Sequence, residues 1–114
     1  MANHLRLAAD NRIAYAVIPP ELTEKYEFNI KEDEGLIDLF REIDGVVIAM
    51  LLYHGPGGIK ISMRSKDSRF PVGPVARFFN GGGHELAAGA TFEGTAEEAE
   101  KAVVARLAEL FTES

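Results

Sequence analysis

The sequence predicts one small α/β (α+β) domain, a mixed β-sheet of about four to five strands flanked by helices. Two observations carry this prediction. Short apolar runs of strand length alternate with segments of helical period along the chain. One of those runs, residues 46–53, is almost wholly apolar, as a strand covered on both faces must be. At 114 residues the chain is long enough to bury a core without disulfide or metal staples, and it holds no internal repeat or low-complexity tract.

The elements follow in order. Residues 12–18 read as a strand, ended by Pro19-Pro20. Residues 21–28 read as a short helix opening after those prolines, where a missing N–H costs nothing. Residues 31–43 form a better helix, with Leu36, Ile37, Phe40 and Ile43 on one face and Glu32, Asp33 and Glu34 near its positive end. Asp44-Gly45 ends it.

Residues 46–53 and 59–64 read as a hairpin closed by His54-Gly55-Pro56-Gly57-Gly58. The second strand alternates Ile59, Ile61 and Met63 with Lys60, Ser62 and Arg64, so it has one buried and one polar face. A polar loop over 65–74 leads to a short helix at 75–79, stopped by three glycines. Residues 87–92 read as another strand. Thr95 and Glu98 make a capping box for the last helix, whose buried stripe is Ala99, Val103, Leu107, Leu110 and Phe111, with Glu97 and Lys101 paired outside.

Charge narrows the function. The net charge of −6 argues against a general nucleic-acid binder. Its distribution is uneven: residues 60–84 carry Lys60, Arg64, Lys66, Arg69 and Arg77 against Asp67 alone. A local basic segment on an acidic body suits a defined anionic ligand. With no cysteine there is no thiolate metal site or disulfide framework. No apolar run reaches membrane-spanning length, and the first residues lack the pattern of a secretory signal. The expectation is a cytoplasmic protein without a membrane partner.

The densest chemistry is Asn80-Gly81-Gly82-Gly83-His84. Three residues without Cβ allow positive φ and close approach of a ligand to the main chain, and successive N–H groups can converge on phosphate oxygens. Asn80 tolerates the left-handed region, and His84 adds one or two side-chain donors. Arg64 and Ser65 lie where a strand leaves the sheet, and Arg64 can fork onto a phosphate or stack on a base. Lys66, Arg69 and Arg77 can add positive field. No set of residues able to break a phosphate bond stands out: there is no clustered His/Asp pattern and no Walker-type loop.

The segment Ile61-Ser62-Met63-Arg64-Ser65-Lys66, then Val75-Ala76-Arg77-Phe78-Phe79, then Gly81-Gly82-Gly83-His84-Glu85-Leu86-Ala87-Ala88-Gly89-Ala90, resembles the DHH-associated type 1 domain. It is most similar to the C-terminal domain of the nanoRNase/pAp-phosphatase branch of the DHH phosphoesterases. The likeness covers roughly residues 12–110, and Asn80 stands where many members have another glycine.

The resemblance implies a nucleotide- and nucleic-acid-binding domain that closes over the active site of a metal-dependent phosphoesterase. The parent's substrates would be short oligoribonucleotides or 3′-phosphoadenosine 5′-phosphate. It implies that Gly81, Gly82, Gly83 and His84 contact phosphate, that Arg64 and Ser65 help hold the nucleotide, and that Lys66, Arg69, Arg77 and Asn80 support them. Two divalent metals, usually manganese, would sit on a separate DHH catalytic domain, with no catalytic residue, metal ligand or cofactor in this chain. The expected partners are that catalytic domain and a nucleotide or short oligonucleotide. The chain would be an excised or stand-alone C-terminal domain, inactive alone. Substrate preference, including polyphosphate, and homodimer formation stay open. The competing readings are a stand-alone regulatory module for a small molecule and a dimerisation domain.

Overall fold

In a computed structural model of the chain, residues 5–18, 30–55 and 57–112 are described. The helix expected over 21–28 lies outside them. They form one six-stranded mixed sheet with three helices. The strands are β1 (Leu5–Ala8), β2 (Ile13–Ile18), β3 (Ile48–Gly55), β4 (Gly58–Ser65), β5 (Gly82–His84) and β6 (Ala87–Phe92). The helices are α1 (Ile30–Arg41), α2 (Gly73–Phe78) and α3 (Ala96–Ala108), and a 3-10 turn, Glu109–Phe111, follows α3.

The spatial order is β1-β2-β3-β4-β6-β5. Only β2 and β3 are parallel, which is why a helical crossover, α1, joins them while tight turns join β3 to β4 and β5 to β6. The expected apolar strand is β3, and its position in the middle of the sheet explains its composition: Ile48 to Leu52 are buried whichever face they point to. The two strands that raise the count above four to five are the sheet's edges. β1 is four residues long and mostly exposed. β5 is Gly-Gly-His, which has no strand propensity of its own and is a strand only because β6 pairs with it.

One face of the sheet is covered by α2 and α3. Ile13 and Tyr15, Ile48, Met50 and Leu52, and Ile59, Ile61 and Met63 pack there against Val72, Val75 and Ala76 and against Ala99, Val103 and Leu107. On the other face α1 lays Ile37 over Ala16, Ile18, Ala49 and Leu51. Phe40 packs at the margin of that cluster, and the Leu36 side chain is not among those described. α1 lies mainly over β2 and β3, so the same face of β4, β6 and β5 keeps its polar character.

Local chemistry sets the helix ends. The capping box of α3 forms as expected, with Glu98 N–H donating to Thr95 Oγ1 at 3.1 Å and Thr95 N–H donating to Glu98 Oε1 at 2.9 Å. Of its stripe, Ala99, Val103 and Leu107 are fully buried, and Leu110 and Phe111 lie on the 3-10 turn, half-buried. Glu97 and Lys101 point outward but form none of the ion pairs seen among the described residues.

A polar cluster ties α3 to the β1–β2 edge. Tyr15 Oη donates to Glu100 Oε2 at 2.7 Å, and Arg6 pairs with the same oxygen. Burial, the hydrogen bond to Glu100 and that carboxylate's charge together push the Tyr15 phenol up to about 12. The folded value lies above the unfolded one, so the unfolded chain loses its proton first as pH rises. Stability is intact below about pH 10 and falls between about pH 10 and 12. Urea midpoints across that window should fall for the wild type, and the component due to this group should vanish in Tyr15→Phe.

Candidate functional site

The glycine-histidine segment begins where α2 ends. Phe79 is the C-cap, Asn80 has φ +66°, and two crossed hydrogen bonds close the helix: Asn80 N–H to Arg77 O at 3.0 Å and Gly81 N–H to Ala76 O at 2.7 Å. This is a Schellman closure with asparagine at the left-handed position. Asn80 therefore stops the helix one residue ahead of the glycines. The left-handed conformation expected of it is present, and its role is to aim the chain into β5.

The three glycines differ in their surroundings. A Cβ on Gly81 would stand 2.1 Å from the Gly89 carbonyl oxygen and 2.6 Å from Ala90 Cβ. Gly83 has φ +134°, and a Cβ there would meet Ala87 O and Ala88 Cα at 2.7 Å. Both are demanded by the close approach of β5 to β6. A Cβ on Gly82 would meet nothing within 4 Å. The segment is thus a paired edge strand, not the open loop of converging N–H groups that three glycines suggest. As the sheet's last strand it still turns part of its main-chain polar groups outward.

Strand register decides what lies beside it. His84 pairs with Ala87, Ala87 with Arg64, and Arg64 with Ala49. Paired residues point to the same face, so His84 and Arg64 share the face on which α1 lies mainly over β2 and β3, with only the small Ala87 between them. The next row is Gly82, Gly89 and Ser62, and the third is Thr91, Lys60 and Tyr53. The middle row is a floor of main chain and one hydroxyl. A hollow of about 390 Å³ lies against Ser62 and Gly89 of that row and is bordered by Tyr53, Lys60, Asn80 and Thr91.

The other expected site residues are placed apart. Ser65 follows Arg64 on the strand, so it points to the opposite face, where it is 4% exposed. Its hydroxyl donates to Asp67 O at 3.0 Å and accepts from Asp67 N–H at 3.2 Å, which shapes the loop after β4. Lys66 Nζ donates to Arg41 O at 2.7 Å at the negative end of α1. Arg69 is exposed and grips Asp67, with Nη2 to Oδ2 at 2.7 Å; hydrogen bonds from Arg69 hold the Asp67 carboxyl below its usual range. Arg77 is exposed on the last turn of α2, and its Nη1 lies near Gly73, which packs on the main chain of His84 and Glu85. The basic stretch of the sequence therefore does not converge: Arg64 and His84 come together, and Lys66, Arg69 and Arg77 point elsewhere.

Lys60, Ser62, Thr91 and Tyr53 are not among the site residues expected from the sequence, although Lys60 belongs to its basic stretch. The alternation of β4 already put Lys60, Ser62 and Arg64 on one face; Thr91 and Gly89 needed the register of β6. Among the described residues no group of three or more His, Asp or Glu could hold a metal ion, and no helix is long and apolar enough to cross a membrane.

Comparison with known proteins extends this picture. A family model described as the DHHA1 domain matches residues 10–113. An exopolyphosphatase-related protein from Bacteroides fragilis is similar in structure, with 31% identity and a TM-score of 0.81 over 98% of this chain and 34% of that one. A pGpG-specific phosphodiesterase from Vibrio cholerae shares the fold at 16% identity and a TM-score of 0.64, with 99% of this chain and 37% of that one covered. The C-Ala domain of alanyl-tRNA synthetase from Aquifex aeolicus shares it at 20% identity and a TM-score of 0.60, covering 84% and 90%. The chain thus spans about a third of the length of the first two. No curated protein matches it.

Proposed function

The chain belongs to the DHHA1 domain family, and from that premise we propose that the polar sheet face of β4, β6 and β5 grips the phosphates of a nucleotide or short oligonucleotide for the DHH catalytic domain of a metal-dependent phosphoesterase. The observation that carries this reading is the cross-strand row His84–Ala87–Arg64 beside the main-chain floor of Gly82 and Gly89. Arg64 brings a planar fork of donors matched to phosphate. His84 donates from the neighbouring edge. Gly82 leaves open space in which an oxygen can reach the main chain.

Among the described residues no group of three or more His, Asp or Glu could hold a metal ion, and in this reading the part of the chain in the reaction is to bind and orient. The metal ions, manganese in this reading, and the bond-breaking step belong to the catalytic domain. The substrate type is that of oligoribonucleotide exonucleases and 3′-phosphoadenosine 5′-phosphate phosphatases. Ser65 acts indirectly, by fixing where the chain turns away after Arg64.

The test uses the chain alone. With Mn²⁺ present it should bind 3′-phosphoadenosine 5′-phosphate or a dinucleotide weakly and in a salt-sensitive way, and should release no phosphate or mononucleotide. Clear hydrolysis would overturn the assignment of the chemistry to another domain.

A further inference from the structure

Resting on that reading, we propose that Lys60, steadied by Thr91, is a second phosphate subsite at the far end of the same face, so that the face selects nucleotide chains over single nucleotides. Lys60 Nζ donates to Thr91 Oγ1 at 3.1 Å. An ammonium has three donors, so two remain for a ligand in the 390 Å³ hollow that Lys60 and Thr91 border. The side-chain stem is held as well. It lies across Gly55, where a Cβ would stand 2.7 Å from Lys60 Cγ, so the missing side chain makes room for it.

Spacing gives the subsite its meaning. Lys60 and Arg64 are four residues apart on β4 and point to one face, which separates them by about 13 Å along the strand. The Lys60 stem leans over Gly55, on the side away from Arg64, so in this arrangement the two cationic heads serve separate phosphates. Between them lie Ser62, Gly89 and Gly82, uncharged and low, and Tyr53 borders the hollow. The face therefore offers a cation at each end and a neutral floor between them, with an aromatic neighbour beside Lys60. A nucleotide chain matches this pattern, with charge at its phosphates and neutral sugar and base between. Inorganic polyphosphate, charged along its whole length, does not.

The experiment measures affinity for a mononucleotide, for 5′-phosphorylated di- and trinucleotides, and for inorganic tripolyphosphate. The proteins are wild type, Lys60→Met, Lys60→Arg and Arg64→Ala, each checked for an unchanged melting curve. Lys60→Met should leave the mononucleotide within about twofold, weaken the trinucleotide about tenfold, and reduce the slope of log K against log[salt] by about 0.7. Lys60→Arg should retain most of the length preference. The proposal is overturned if Lys60→Met changes nothing at any length, weakens all lengths equally, or weakens tripolyphosphate as much as the trinucleotide. Those failures leave the preceding reading standing as long as Arg64→Ala weakens every nucleotide; if Arg64→Ala has no effect, it is that reading that fails.

Discussion

Gly81→Ala and Gly83→Ala should each destabilise the protein by about 3 kcal/mol, whereas Gly82→Ala should leave its stability unchanged or slightly raised. At position 81 the new methyl would fall 2.1 Å from a carbonyl oxygen of β6. β6 cannot withdraw, because it is hydrogen-bonded to β4 on its other side. Overpacking of this kind costs roughly 1–3 kcal/mol even where side chains can yield, and here the obstacle is backbone. At position 83 a φ of +134° adds backbone strain of about 1–3 kcal/mol to contacts of 2.7 Å.

Gly82 has neither problem. An alanine there lowers the entropy of the unfolded chain, a gain of about 0.4–1 kcal/mol where the conformation is compatible. Denaturant midpoints measure all three. Ligand titration then separates the middle glycine from its neighbours, since its methyl would occupy the floor between Arg64 and Lys60 and should weaken phosphate binding about tenfold without unfolding anything. Equal destabilisation by all three substitutions would contradict the pairing of β5 with β6.

The second large effect concerns Arg64. Arg64→Ala should weaken binding of 3′-phosphoadenosine 5′-phosphate or a dinucleotide by about 2–3 kcal/mol, the range for hydrogen bonds to a charged partner, which is roughly 30- to 150-fold. The salt dependence should flatten at the same time, because one phosphate contact fewer releases fewer counterions. His84→Ala should cost less, about tenfold, since it removes a single donor at the sheet's edge. Ser65→Ala is the internal control. It should cost about 1 kcal/mol of stability by releasing the loop after β4 and leave intrinsic affinity nearly unchanged, because its hydroxyl faces away from the ligand. If Ser65→Ala weakened binding as much as Arg64→Ala, the division of the two residues between opposite faces would be wrong.

Much of this was legible before any coordinates. The continuous apolar run of β3 placed it in the sheet's centre, because only a strand covered on both faces can afford no polar residue. The capping box of α3 is local in sequence and formed where Thr95 and Glu98 put it. The period-two pattern of β4 put Lys60, Ser62 and Arg64 on one face, and the same pattern puts Ser65 on the other. Propensity left β1 and β5 out, since an exposed four-residue edge and a Gly-Gly-His segment become strands only through a partner.

The glycine-histidine motif shows where the boundary falls. Its composition marked it as a place where backbone and ligand could meet, and that follows from residue type alone. Which glycine serves the fold and which leaves the main chain open depends on how closely β5 approaches β6. That His84 and Arg64, twenty residues apart in the chain, share one face depends on register, and a one-residue slip of β6 would have sent them to opposite sides. Residue chemistry and short-range period are properties of the chain itself; faces, rows and the distance between Lys60 and Arg64 become properties of a site only when hydrogen bonds between distant segments hold the strands in register.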